Sequence, residues 1–313
     1  MQKKSRFHKP QYNHKLKTLI IGASGKIGRY FLEFGNSNYV YTYNKKAIHK
    51  GIRFDITKNN LSKLCKKFSI NKIVLLSAIS DPDQCYKNKI YSNLINVIKT
   101  KEAIDCIVKK NIYFIFFSTE FIFNGKRGNY SEIAAPKPNQ LYGKQKYLIE
   151  KYIKRKTKNF AILRIAKTYG DKLNEGTLIS SFISSLEKGD REFKVATDQM
   201  FNPLYVKDLK KIVKLFLEKQ IKGVFNVGGP EQLSRYECIE RIIRQFKNKN
   251  MRKIFLEKSK LKNFKFLDKR PLNITMNISK IKKTIKFKLT KIEDVAKKII
   301  EKNNLNEKLF IRR

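Results

Sequence analysis

From residue 17 onward, short continuous apolar runs alternate with stretches in which apolar residues recur every three or four positions. The runs KTLIIG (17–22), NYVYTY (38–43), IRFDI (52–56), KIVLLSA (72–78), IYFIFFST (112–119) and FAILRI (160–165) have strand length and are rich in β-branched and aromatic residues. Unbroken runs of this kind suit strands buried on both faces. Between them, KIGRYFLEFG forms a short helix ending at Gly35, and LSKLCKKFSI carries helical spacing. Residues 84–110 form one long helical stretch, and a helix spans about 140–156 after a loop with Pro136 and Pro138. Such alternation predicts a doubly wound α/β fold, a parallel sheet with helices on both faces. After Tyr169-Gly170 the rhythm loosens into helices at about 176–188, 207–219, 234–247 and 291–303, with GVFNVGG as a strand candidate between them. The expected organisation is a disordered basic tail (1–15), a doubly wound α/β domain (16–170) and a smaller α+β region (171–313). Within the last, 199–227 is expected to pack back on the first domain.

The segment IIGASGKIG sets Gly22, Gly25 and Gly28 between the first strand and the first helix. Glycine permits a tight turn and the close approach of a pyrophosphate, and the helix start supplies N–H donors. In this strand–loop–helix context the G-x-x-G-x-x-G spacing predicts a Rossmann-type dinucleotide site. The second strand bears on which dinucleotide it takes. An acid at its end would hold the adenosine ribose hydroxyls. Here the strand runs into Asn44, Lys45 and Lys46, and lysines there suit a 2′-phosphate. NADP is the expected cofactor, with NAD the alternative. Asp55 can reach the adenine amino group, or cap a helix beginning near Thr57.

Composition narrows the function classes. A chain of 313 residues with 41% hydrophobic content, 22 Phe and 15 Tyr buries a full core. No apolar run reaches 18 residues, so no membrane span is expected. The N-terminus lacks the apolar segment of a secretory signal, and Cys65, Cys85, Cys106 and Cys238 show no paired spacing. Both features point to the cytoplasm. The net charge of +44 comes from lysines spread over almost every segment, which suits no specific nucleic-acid stripe but does suit an anionic small substrate. The only histidines are His8, His14 and His49. They leave no histidine triad, and no metal site is expected.

The acid or base of any reaction must therefore be another residue. Tyr-x-x-x-Lys occurs four times, starting at Tyr41, Tyr142, Tyr147 and Tyr152. Residues four apart share one helix face, where a cationic lysine favours a neighbouring phenolate and lowers its pKa. Tyr41 lies on a strand at the adenosine end. Tyr147 and Tyr152 are rotated from Tyr142 by about 140° and about 80°, at roughly 100° per residue. Only Tyr142 with Lys146 follows directly from the loop that leaves Ser118-Thr119.

The glycine loop, Ser118-Thr119 and Tyr142-x-x-x-Lys146, in that order, resemble the extended short-chain dehydrogenase/reductase superfamily. STEFIFNG (118–125), GNYSE (128–132) and PNQLYGKQK are similar to the corresponding segments of dTDP-4-dehydrorhamnose reductases. DITK, DQC with Asn96, ILRIAKTYG, DQMFNP, LSRYE and RPLNITMNISKI extend the likeness to about residues 17–285. The resemblance implies hydride transfer from nicotinamide to the C4 ketone of a nucleotide-linked 4-keto-6-deoxy sugar, for polysaccharide precursor synthesis. Tyr142 would donate the proton, Lys146 would tune it and hold the nicotinamide ribose, and Thr119 would hydrogen-bond the substrate oxygen. The cofactor site would include Gly22, Ser24, Gly25, Lys26, Ile27, Gly28, Asn44, Lys45, Asp55, Ile56, Ala78 and Ile79, together with Tyr142 and Lys146. Thr119, Phe121, Lys167 and Arg270 would meet the substrate, Arg270 at its diphosphate.

Three positions depart from the family's pattern. Glu120 replaces an aspartate, Lys167 stands where rhamnose reductases often carry tryptophan, and Leu204 replaces a threonine. They bear on the sugar more than on the reduction. The competing readings are a nucleotide-sugar epimerase or dehydratase with tightly bound NAD, and a non-catalytic subunit resembling the regulatory partner of methionine adenosyltransferase. A homodimer is the expected assembly.

Overall fold

The computed structural model describes residues 16–35, 37–247 and 254–306, and the expected tail at 1–15 lies outside them. Seven strands form one sheet: β1 (Lys17–Ile21), β2 (Tyr39–Tyr43), β3 (Ile52–Arg53), β4 (Ile70–Leu75), β5 (Tyr113–Thr119), β6 (Phe160–Ile165) and the strand Gly223–Val227. Their spatial order is 223–227, β6, β5, β4, β1, β2, β3. Every neighbouring pair is parallel. This is the doubly wound α/β sheet that the apolar runs predict. All seven residues of β5 are buried, which is why that strand reads as an unbroken apolar run.

Alternate residues of each strand feed separate cores. Ile20, Val74, Ile115 and Leu163 pack on one face of the sheet, and Leu19, Ile73, Phe114 and Ile162 on the other. The helices flanking the sheet in its first half are α1 (Gly28–Phe31), α2 (Leu61–Lys67), α3 (Pro82–Lys87), α4 (Lys89–Asn93), α5 (Thr100–Lys109) and α6 (Leu141–Lys156). The chain after residue 170 also contributes to the sheet. The strand Gly223–Val227 runs beside β6, and Leu209, Val213 and Phe216 of the helix Val206–Lys219 join the core that holds Phe31. A third core gathers Ile179, Ile183, Cys238, Ile242, Val295 and Ile299 from the helices Leu178–Glu187, Arg235–Ile243 and Ile292–Lys302.

Several boundaries differ from the sequence expectation. The stretch 84–110 is not one helix. Asn88 leaves helical geometry at φ −121° and ψ 64°, and residues Leu94–Lys99 wind as a π-helix between α4 and α5. β3 pairs only over Ile52–Arg53. No helix starts at Thr57; α2 begins at Leu61, where the side chain of Asn60 accepts the Lys63 N–H. The parallel pair Glu192–Ala196 and Phe255–Ser259 was not foreseeable from alternation, because most of its residues are exposed or half-buried.

Candidate active site

Strand order reverses between β1 and β4, which opens a crevice at their carboxyl ends, where open α/β sheets take ligands. The glycine loop lies at that point. Gly22 has φ 90°, a conformation that suits glycine, and its N–H donates to the Thr42 hydroxyl at 3.1 Å. A Cβ at Gly28 would lie 2.6 Å from the Gly22 carbonyl oxygen, so only hydrogen fits where the helix start meets the loop. This cradle fits a dinucleotide pyrophosphate.

The other expected cofactor residues fall around the same edge. Ser24 is half-buried and its carbonyl accepts from Arg29. Gly25 and Lys26 are exposed, and the Lys26 ammonium reaches the Gly176 carbonyl at 3.3 Å, while Ile27 packs on the core. Asn44 and Lys45 follow β2, with Lys45 exposed. Asp55 closes a local turn: its carboxylate accepts from the Thr57 hydroxyl at 2.7 Å and the Thr57 N–H at 2.9 Å. Those bonds, the hydroxyl's first, hold its carboxyl below the usual value. Ile56 packs against the second core, and Ala78 is half-buried after β4. Ile79 is clamped by Asn96, which accepts its N–H at 2.8 Å and donates to its carbonyl at 2.9 Å. Asn96 also donates to Gln145 of α6 at 2.8 Å, tying this loop to the helix of Tyr142. The π-helical segment supplies Asn96, in keeping with the frequency of such windings at functional sites.

Thr119, Tyr142 and Lys146 come together at the end of β5. Their exposures are 6%, 8% and 4%. The Thr119 oxygen accepts the Phe121 N–H at 3.2 Å, capping the short 3₁₀ turn Glu120–Ile122. An occupied acceptor leaves the hydroxyl proton free to donate to a ligand oxygen. The Tyr142 hydroxyl has no protein partner among the described residues. Lys146 donates to the Phe117 carbonyl at 2.9 Å, and its ammonium lies 4.7 Å from the Phe116 ring centre. By contrast, Tyr147 is half-buried and Tyr152 bonds Asp105 at the exposed surface.

One electrostatic expectation is reversed. Burial, with Cys85 and Glu120 adding to it, pushes the Tyr142 phenol up rather than down. Burial also pushes the Lys146 ammonium down, to about 8, against the pull of Cys85 and Glu150. Desolvation of the charged forms outweighs the attraction between phenolate and ammonium because the pair is enclosed and Lys146 is turned to a backbone carbonyl.

Beside Thr119 opens a cavity of about 180 Å³, walled in part by Glu120, Phe121, Lys167, Gln199, Arg235 and Arg270. It is smaller than the roughly 300–1,000 Å³ of typical ligand pockets and suits part of a ligand, such as one sugar ring. Glu120 is 3% exposed: one carboxyl oxygen accepts the Lys167 N–H at 3.1 Å, and the other is buried with no partner. Burial pushes its carboxyl up to about 8. Arg270, expected at the diphosphate, lines this wall, where one of its terminal nitrogens pairs with Asp83 at 2.9 Å. Arg235 and Gln199 were missed as site residues. Both lie in segments of the resemblance, LSRYE and DQMFNP, yet nothing local marks one arginine among 70 basic residues.

A family model described as RmlD substrate binding domain matches residues 16–305. Among curated proteins, methionine adenosyltransferase 2 subunit beta of Xenopus tropicalis is 25% identical over 232 residues, which cover 71% of this chain and 69% of that protein. The spore coat polysaccharide biosynthesis protein SpsK of Bacillus subtilis (strain 168) is 27% identical over 231 residues, or 73% of this chain and 79% of SpsK. Among solved structures, a dTDP-4-dehydrorhamnose reductase from Bacillus anthracis str. Ames in complex with NADP superposes with a TM-score of 0.78 at 22% identity. That match covers 91% of this chain and 99% of the other.

Proposed function

The chain belongs to the RmlD substrate binding domain family, and on that premise we propose that it is an NADPH-dependent reductase of a nucleotide-linked keto sugar. The parent substrate class is the 4-keto-6-deoxy sugars, with dTDP-4-dehydrorhamnose the simplest member and a polysaccharide precursor the product. The observation that carries the reading is the enclosed trio of Thr119, Tyr142 and Lys146, with Glu120 and Phe121, the residues that follow Thr119, in the wall of a sugar-sized cavity.

A nicotinamide dinucleotide held by the glycine loop would supply the hydride that the carbonyl carbon accepts. The Thr119 hydroxyl hydrogen-bonds to the carbonyl oxygen, keeping its own proton, and holds that oxygen in place. Tyr142 then transfers its phenolic proton to the developing alkoxide. A high phenol pKa keeps that proton in place at neutral pH, and the charged Lys146 stabilises the phenolate left behind. Glycine-loop N–H groups bind the pyrophosphate, and Lys45 with Lys46 favours a 2′-phosphate. The test is a panel of nucleotide-linked 4-keto sugars assayed for oxidation of NADPH and NADH.

A second reading, a regulatory subunit without turnover, draws support from the likeness to methionine adenosyltransferase 2 subunit beta. It predicts dinucleotide binding with no oxidation on any member of the panel. The retained trio favours the reductase.

A further inference from the structure

The cavity beside Thr119 carries an unbalanced set of charges. Lys167, Arg235 and Arg270 face it, and the acidic residues in its wall are Asp81 and Glu120. Asp81 caps α3, where it accepts the Gln84 N–H at 3.0 Å, and it makes no ion pair with Lys167 or Arg235 among the described residues. Glu120, with its carboxyl pushed up by burial, holds its proton through much of the neutral range. Of the three cations only Arg270 has an acidic partner, Asp83. The Lys167 ammonium makes no hydrogen bond or ion pair among the described residues, although its backbone N–H is fixed by Glu120.

Arg235 is held in an aimed position at a cost. Its Nε donates to Gln199, whose own amide is buried and donates to the Pro271 carbonyl at 3.4 Å. Its guanidinium sits 5.9 Å from the Phe201 ring centre, and the two terminal nitrogens remain for a ligand. The residue is also the first of the helix Arg235–Ile243, the end at which a positive charge is unfavourable. Desolvation first, and then repulsion from Arg235, push the Lys167 ammonium down, even though the residue remains open to water through the pocket mouth. Two cations without an acidic partner, gathered at one open cavity, are the mark of a site completed by an anionic ligand.

We propose that Lys167 and Arg235 make this a subsite for an ionised group on the sugar itself, so that the preferred substrate is a nucleotide-linked sugar acid, with a carboxylate where a 6-deoxy sugar has its methyl. The proposal rests on the sugar-nucleotide reading of the site; it keeps the reaction and revises the sugar. Position argues for the sugar rather than the diphosphate. Glu120 directly follows Thr119, and it fixes the backbone of Lys167, so this wall stands next to the residue that holds the reacting carbonyl. At this wall Lys167 offers an ion-pair partner to a group on the sugar.

Titration calorimetry on the full chain with saturating NADP⁺ tests this with UDP-glucuronate and UDP-glucose, which share a diphosphate and differ only at C6. The dTDP-linked pair is run alongside. The expected result is at least tenfold tighter binding of the glucuronate, and a loss in Lys167→Met that is at least tenfold larger for the glucuronate than for UDP-glucose. A thermal melt of the variant confirms that it is folded. Arg235→Gln, at a second wall of the cavity, is expected to weaken the glucuronate preference as well. Equal affinity for the two sugars in the wild type overturns the proposal. So does an equal loss for both in Lys167→Met, which would assign the lysine to the diphosphate. Binding of neither sugar would overturn the sugar-nucleotide reading, and the inference with it, whereas binding of UDP-glucose without preference would sink the inference alone.

Discussion

A Cβ atom at Gly143 would lie 2.0 Å from the carbonyl oxygen of Phe121. The two residues mark the contact between the turn that follows Thr119 and the first turn of the helix that carries Tyr142. Gln140 closes the same joint: its carbonyl side-chain oxygen accepts the Gly143 N–H at 3.0 Å, and its amide donates to Phe121 at 3.3 Å. Glycine is therefore what lets the helix of Tyr142 approach the turn that follows Thr119. Replacing a helical glycine with alanine ordinarily stabilises by about 1 kcal/mol. Here the overpacking cost of about 1–3 kcal/mol reverses the sign. Gly143→Ala is expected to lower the Tm and to reduce kcat while leaving NADPH affinity close to wild type. A raised Tm with unchanged kcat would contradict this packing.

The strand that positions Thr119 is itself braced by a buried ion pair. Arg164 and Glu150 are 1% and 0% exposed, and two guanidinium nitrogens reach the carboxylate at 3.0 and 2.8 Å. Glu150 also accepts from the Ser118 hydroxyl at 2.6 Å, next to Thr119. Removing one partner leaves a buried charge, so Arg164→Met is expected to cost about 3–5 kcal/mol in urea unfolding. The double variant Arg164→Met/Glu150→Leu should recover most of that loss. A single variant as stable as wild type would show that the charges are hydrated.

Alkaline pH is expected to slow the reduction. The reaction needs Tyr142 protonated and Lys146 charged, and both conditions hold at low pH. Burial pushes the Lys146 ammonium down to about 8, and the titratable groups that oppose this are the Cys85 thiol, itself pushed up by burial, and Glu150. As pH rises through that value the ammonium is lost first, because burial keeps the phenol's proton in place to higher pH. The kcat should fall on the alkaline side with a midpoint near 8. A kcat flat from about pH 6 to about pH 10 would contradict that assignment.

Cofactor choice should respond to the end of β2. Lys45 and Lys46 are exposed, so each contributes only the modest energy of a screened surface charge. The double replacement by alanine is expected to weaken NADPH binding by about 1 kcal/mol, roughly fivefold, and to leave NADH unchanged. An equal effect on both dinucleotides would place the 2′-phosphate elsewhere.

What could be read in the chain, and what could not, divides along physical lines. The strands of the sheet were legible because burial on both faces demands unbroken apolar runs, as in YFIFFST. Gly22 and Gly28 were legible because a positive φ and a close approach leave glycine little competition. The break at Asn88 was not, since Asn is tolerated in helices and only tertiary contacts fix the π-helical turn around Asn96. Gly143 was hidden for a different reason: its partner carbonyl lies across a loop. Lys167 was named from the resemblance, whereas Arg235, which lines the same cavity from a distant segment, was not, because a uniformly basic chain disguises one more arginine. The direction of the Tyr142 shift was also out of reach, because spacing reports proximity and says nothing of desolvation.

The central claim is that Tyr142 is the proton donor of a sugar-nucleotide reductase. Tyr142→Phe removes one oxygen that has no protein partner among the described residues, so the fold should survive, as a melt can verify. The direct measurement is NADPH oxidation by this variant and by wild type on nucleotide-linked 4-keto sugars, dTDP-4-dehydrorhamnose and the corresponding sugar acid among them. Turnover by the wild type on at least one of these sugars, with a loss of about 10²–10⁴-fold in the variant and unchanged NADPH affinity, is the predicted result. Turnover that survives the substitution, or a wild-type protein that binds NADPH and oxidises it with none of these sugars, would contradict the claim.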